Sequence, residues 1–178
     1  IPDLEYGQRI VLMKNISAVW SSNYTTIALD TDGTLYGWGG DTFHILWNRP
    51  QGETGSVRLM ENVSTASFNE FGCAVLRKDG SVWMWGDNGL GQLGLGQTDH
   101  EYHNPVQVMD QATFLYAEGA TTFVIKADGA LYAWGDGMAK VPTYVAGNIA
   151  SVNFMKGNTN RTYQLLTRDR RPPPARWA

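Results

Sequence analysis

The chain has 178 residues, 43% of them hydrophobic and 17% charged, against a soluble average of about 25% charged, which excludes disorder and sets a prior of one domain, at most two small ones. A net charge of −3 and a pI near 5.5 supply no basic field for holding phosphates and argue against a nucleic-acid partner. No apolar run approaches ~18 residues, which excludes a membrane-spanning helix, and one cysteine, Cys73, excludes a disulfide within the chain. The chain begins at Ile1 without a signal peptide, which reads as a processed product or an excised piece.

In chain order, Met13-Lys14-Asn15-Ile16 opens a first unit, and Leu29-Asp30-Thr31-Asp32-Gly33-Thr34-Leu35-Tyr36-Gly37-Trp38-Gly39 follows. The same pair of anchors returns as Met60-Glu61-Asn62-Val63 with Leu76-Arg77-Lys78-Asp79-Gly80-Ser81-Val82-Trp83-Met84-Trp85-Gly86. It returns again as Met109-Asp110-Gln111-Ala112 with Ile125-Lys126-Ala127-Asp128-Gly129-Ala130-Leu131-Tyr132-Ala133-Trp134-Gly135. Each methionine stands 16 residues before its Leu29, Leu76 or Ile125, and the Asp-Gly pairs are spaced by 47 and then 49 residues. Such a repeat fixes the architecture before any single motif does. A fourth copy starts at Asn148-Ile149-Ala150-Ser151-Val152 and reaches Leu165-Leu166-Thr167-Arg168-Asp169, but Arg170 stands where Gly is needed and no Trp-Gly follows.

Asp-Gly between alternating apolar residues is a hairpin signal, so Gly33, Gly80 and Gly129 are expected at positive φ. Asp32, Asp79 and Asp128, one per unit at the same turn, read as turn formers and not as an acid/base pair. Helical periodicity is absent. A unit of about 47 residues made of short strands corresponds to one propeller blade. The expected fold is all-β: a β-propeller of four-stranded antiparallel blades, about three and a half per chain. The repeats are divided at about 10–56, 57–105, 106–147 and a half repeat 148–169. Residues 170–178, rich in Pro and Arg, are expected to be a linker, an expression scar or a tail docking on a partner. Trp38, Trp85 and Trp134 share one position of the repeat and are expected to be buried between blades.

The run Gly72 to Gly94, with Asp79-Gly80, Trp85-Gly86, Gly91-Gln92-Leu93-Gly94 and then Pro105-Val106-Gln107-Val108, resembles the regulator of chromosome condensation repeat. The resemblance covers residues 10 to about 169. The family often carries a His eight residues before the hairpin Gly, where this chain has Thr25, Gly72 and Thr121. The first copy replaces Gly-Gln-Leu-Gly with Thr42-Phe43-His44-Ile45-Leu46-Trp47, and the third deletes it. Such degenerate repeats look like those of bacterial members, with the outside or surface of a bacterial cell as the expected location.

Asp99-His100-Glu101-Tyr102-His103 offers two histidines in a variable loop, only half of a zinc site, and is read as solvated loop with no metal. Asp87-Asn88-Gly89 lacks the alternating oxygens and terminal Glu of a calcium loop. Cys73 lies in an expected strand and reads as a small buried residue, not a nucleophile. Four Asn-x-Ser/Thr sequons start at Asn15, Asn23, Asn62 and Asn160; two share one repeat position and reflect blade chemistry. No catalytic constellation and no cofactor site emerges.

The resemblance implies a non-enzymatic protein-binding module or scaffold, with an unidentified protein partner and neither nucleic acid nor membrane. Two other classes stay open: an inhibitor of a secreted enzyme, since one relative by resemblance is a bacterial β-lactamase inhibitor protein, and a hydrolase or lyase housed in a propeller channel. The expected binding surface is Thr42–Gly55, where Phe43, His44, Trp47 and Arg49 are types enriched at interface hot spots. The competing reading makes Phe43, Ile45 and Trp47, which alternate, an outer strand. Three and a half blades leave apolar faces wet, so the chain is expected to self-associate or to have been cut from a longer propeller.

Overall fold

The computed structural model describes residues 13–22, 24–41, 44–53, 55–68, 71–98, 101–156 and 161–169, apart from the side chains of 154–156, 161 and 162. Each repeat is an up-and-down antiparallel sheet of four strands in sequence order. The first holds β1 (Ile16–Ser21), β2 (Thr25–Asp30), β3 (Leu35–Gly39) and β4 (Val57–Met60). The second holds β5 (Val63–Phe68), β6 (Gly72–Arg77), β7 (Val82–Gly86) and β8 (Tyr102–Met109). The third holds β9 (Ala112–Glu118), β10 (Thr121–Lys126), β11 (Leu131–Gly135) and β12 (Thr143–Ala146). A two-stranded sheet follows, β13 (Ile149–Lys156) with β14 (Arg161–Thr167). Among the described residues no helix is long and apolar enough to cross a membrane.

The first sheet ends one strand past the sequence division at 56/57, and the division at 105/106 falls inside β8. Hydrogen bonding, not sequence similarity, decides membership: β4 pairs back on β3, with Leu35 opposite Met60 and Gly37 opposite Val57. β8 returns to β7 in the same way, with Met84 opposite Val106.

The hairpins between second and third strands follow local chemistry. Gly33, Gly80 and Gly129 take φ of 95°, 83° and 88°, a region closed to most residues with a Cβ. Their carbonyls accept the backbone N–H of the first residue of the next sheet, Val63, Ala112 and Ile149, at 2.8–2.9 Å. One turn therefore both closes a hairpin and ties its blade to the following one. The residue before each sheet also takes positive φ: Asn15, Asn62, Gln111 and Asn148, at 57–61°. Their carbonyls accept N–H groups of Thr31, Lys78, Ala127 and Arg168. Asn tolerates this conformation best among residues with a side chain, which explains the repeated Asn at two of the sequons.

Apolar faces pack sheet against sheet. One core runs from Ile27, Leu35, Ile45, Leu46 and Leu59 of the first blade to Val63, Val75 and Trp85 of the second. Another joins Leu76, Met84 and Leu93 to Leu115, Val124 and Trp134. A third carries Phe123, Leu131 and Ala133 to Ile149 and Val152. Cys73 is buried in β6, and burial pushes its thiol pKa up, as its strand position implied.

Trp85 and Trp134 are fully buried. Trp38 is only half-buried, which corrects the expectation of three equivalent positions. The reason is the partner each ring needs. The Trp85 indole N–H donates to the Ile45 carbonyl at 2.9 Å, and that of Trp134 to the Gln92 carbonyl at 2.8 Å. Each tryptophan thus docks into the β3–β4 type connection of the preceding blade, and no described blade precedes that of Trp38.

Candidate functional site

The first inter-blade connection keeps the turn that its sequence conceals. His44 takes φ 52°, and Gly91, 47 residues on, takes φ 73°. Leu46 and Leu93 are each 1% exposed. The Leu46 N–H donates to Asp41 Oδ1 at 2.7 Å, and the Leu93 N–H donates to Asn88 Oδ1 at 3.0 Å. A carboxylate or amide oxygen five residues upstream organises both loops, so the turn survives the loss of Gly-Gln-Leu-Gly. The outer-strand reading of Phe43, Ile45 and Trp47 is also corrected: 44–48 is turn and helical turn, and the outer strand is β4. Ile45 and Leu46 are consecutive and both buried, which an alternating strand does not allow.

In the second blade the same device consumes the residues that hinted at calcium. Asp87 accepts from the Gly89 N–H and from Gln92 Nε2. Asn88 is fully buried and also donates from Nδ2 to the Gln97 carbonyl at 2.7 Å.

Of the four expected binding residues, Phe43 lies outside the described residues. His44 is exposed, and its ring stacks on His103 of β8 with centroids 3.8 Å apart. Trp47 is half-buried, and its indole N–H is shielded without a hydrogen-bond partner among the described residues. Arg49 turns inward: Nη1 donates to the Gly39 carbonyl at 2.6 Å, and Nη2 lies 3.9 Å from Asp41 Oδ2. Arg49 braces the loop, while His44 and Trp47 face the second blade.

Trp47 stands in the wall of a cleft of about 520 Å³ between the first two blades. Leu59, Met60, Arg77, Trp83 and Pro105 line it as well. Arg77 has a second shielded donor, Nε, without a partner among the described residues. The aromatic and aliphatic walls suit apolar side chains of a ligand. Sequence reasoning missed Arg77 because it sits beside the hairpin, where a charge reads as solvent-facing.

The sheets, the glycine turns and the tryptophan joints define an arc of β-propeller blades. The chain is made of regulator of chromosome condensation repeats: that repeat family matches residues 79–123, and a second form of it matches 14–44 and 65–92. The probable E3 ubiquitin-protein ligase HERC4 of Homo sapiens is 32% identical over 144 residues, 75% of this chain and 14% of the ligase. Regulator of chromosome condensation of Xenopus laevis is 26% identical over 128 residues, 67% of this chain and 30% of that protein. Yeast RCC1 (Prp20), solved with Kap60 bound, superposes with a TM-score of 0.66 at 18% identity over 80% of this chain and 40% of the solved one. The chain therefore spans well under half the length of these relatives. They are eukaryotic, so they lend no support to a bacterial member, and none is named as an inhibitor.

Proposed function

We propose that this chain is a non-enzymatic protein-binding module whose partner enters the cleft between the first two blades. The observation that carries this reading is a cleft lined by both Trp47 and Arg77, whose Nε1 and Nε are shielded without a partner among the described residues. A buried N–H left unpaired costs about 1–3 kcal/mol, and a partner oxygen that meets either group as its side chain shifts on binding recovers that cost. The fitting occupant is an extended peptide segment of a protein with a carbonyl or carboxylate oxygen between apolar side chains. Yeast RCC1 bound to Kap60 is a structural relative that engages a protein.

His44 and Trp47 form the rim and wall of this surface, and Arg49 acts through the loop it braces. Completion of the propeller by further blades or by a second copy belongs to the same proposal, because among the described residues the last sheet has two strands where the others have four. Light scattering on the purified chain tests self-association: a monomer of 19.7 kDa at micromolar concentration rules it out. For the cleft, a partner captured by the chain is titrated against Trp47→Phe and Trp47→Ala. Loss of the N–H alone is expected to weaken binding, and loss of the ring to weaken it further. Unchanged affinity in both variants overturns the cleft as the site.

A further inference from the structure

The chain has three histidines, and the fold brings two of them together from different blades. His44 comes from the β3–β4 connection of the first blade, and His103 from the start of β8 in the second. Glu101 stands beside them, with its Oε2 3.7 Å from His103 Nε2. One donor atom from each of His44, Glu101 and His103 falls within a set whose members all lie within 4.8 Å of one another. Among the described residues the His44 imidazole has only its stack on His103, at an interplanar angle of 27°. Neither imidazole is committed to a carbonyl or a core contact that a ligand would have to displace.

We propose that His44, Glu101 and His103 form a zinc site that bridges the first two blades, with water in the remaining position. Two imidazoles and one carboxylate are a donor set that zinc accepts, at metal–ligand distances of about 2.0–2.2 Å. Ligands at that distance in a tetrahedron lie roughly 3.3 Å apart, so side-chain rotation alone converges the three exposed groups. Softer sites use thiolates, and hard magnesium or calcium sites use oxygens; this set contains neither pattern. His44 is followed directly by Ile45, the acceptor of the Trp85 indole, so the ion sits at the joint between the blades. It does for the exposed end of that joint what the tryptophan does for the buried end. The local reading of residues 99–103 lacked a ligand because that ligand lies 57 residues before Glu101. His44 also belongs to the proposed docking surface, but the zinc site does not rest on that reading and is tested with the metal alone.

The experiment is calorimetric titration of the chelator-stripped chain with zinc chloride, followed by thermal melting across zinc concentrations. One zinc per chain is expected, with a melting temperature that rises with free zinc, since an ion that binds only the folded state stabilises it. His44→Asn, Glu101→Gln and His103→Gln are each expected to weaken binding by about tenfold or more. Asn accepts the positive φ of position 44, and the metal-free melts of all three variants should match that of the parent chain. The visible spectrum of the cobalt-substituted chain should lose its ligand-field bands in the same variants. Absence of zinc binding overturns the proposal. So does binding that survives His44→Asn, or binding that His100→Gln abolishes while His44→Asn does not.

Discussion

Trp85 is held by Ile45, a residue 40 positions earlier on the preceding blade, through a buried hydrogen bond of 2.9 Å. The bond repeats one blade on between Trp134 and Gln92, and Gln92 stands seven residues after Trp85 as Ile45 stands seven after Trp38. A blade's tryptophan and its predecessor's loop are therefore one structural unit.

Replacing Trp85 with Ala is expected to cost about 3–5 kcal/mol, the range for deleting a large core aromatic. Trp85→Phe keeps most of the ring and strands the Ile45 carbonyl, for about 1–3 kcal/mol. Trp38→Ala, at a half-buried position without a described acceptor loop, should cost no more than about 2 kcal/mol. Urea denaturation of the three variants checks the order. Equal losses for Trp38 and Trp85 would show that the inter-blade bond adds nothing.

Backbone conformation, not side-chain contact, should govern the turn positions. Gly80 at φ 83° would place an added Cβ 3.3 Å from the Ala112 carbonyl oxygen, within the joint that receives the Ala112 N–H. Gly80→Ala is expected to cost about 1–2 kcal/mol, the left-handed penalty for a residue with a Cβ. Asn62 at φ 58° already tolerates that region, so Asn62→Gly should stay within about 1 kcal/mol and Asn62→Val should lose more. Thermal melts compare the two positions directly.

Acid should loosen the first hairpin through Asp30. Its Oδ1 accepts the Thr34, Gly33 and Asp32 N–H groups at 2.7, 2.9 and 3.0 Å. The Thr34 N–H above all holds the carboxyl below its usual range, against an opposing desolvation effect. A depressed folded-state pKa stabilises the fold above the ordinary aspartate value of about 3.9, and that contribution is lost as pH falls through the depressed value. Carboxyl carbon NMR should show Asp30 titrating below the ordinary value. Asp30→Asn should flatten this part of the stability–pH curve, and a midpoint at or above the ordinary value would contradict the hydrogen-bond geometry.

What could be read from the residues was what is local. Asp-Gly with flanking apolar residues fixed the hairpins, and repeated offsets fixed the four-stranded blades, because turn conformation and strand alternation are set by a few consecutive residues. The half-burial of Trp38 was not legible, since it depends on a neighbouring blade and not on the residue's own repeat. The first connection was misread because its turn is specified by Asp41, Leu46 and backbone conformation, while the familiar glycines are absent. His44 approached His103 only after blade packed on blade. The signal that could have exposed the shared turn was the alignment of Asp41 with Asn88, 47 residues apart, at the spacing of the repeat itself.

That alignment yields the last prediction. Asn88 is fully buried with both ends of its amide engaged, so Asn88→Ala leaves the Leu93 N–H and the Gln97 carbonyl unpaired. Its cost should be about 2–4 kcal/mol if each lost partner counts for 1–2. Asp41→Asn keeps the acceptor for Leu46 and gives up only a 3.9 Å ion pair with Arg49, a contact worth about 0–1 kcal/mol. Asp41→Ala removes the acceptor and lets the loop that carries Ile45 relax. Because Trp85 depends on that same loop, Asp41→Ala and Trp85→Phe should not add: the double variant should fall short of the sum by about 0.5 kcal/mol or more, as residues sharing one network do. A double-mutant cycle by chemical denaturation measures the difference, and strict additivity would mean that the two blades are joined by apolar packing alone.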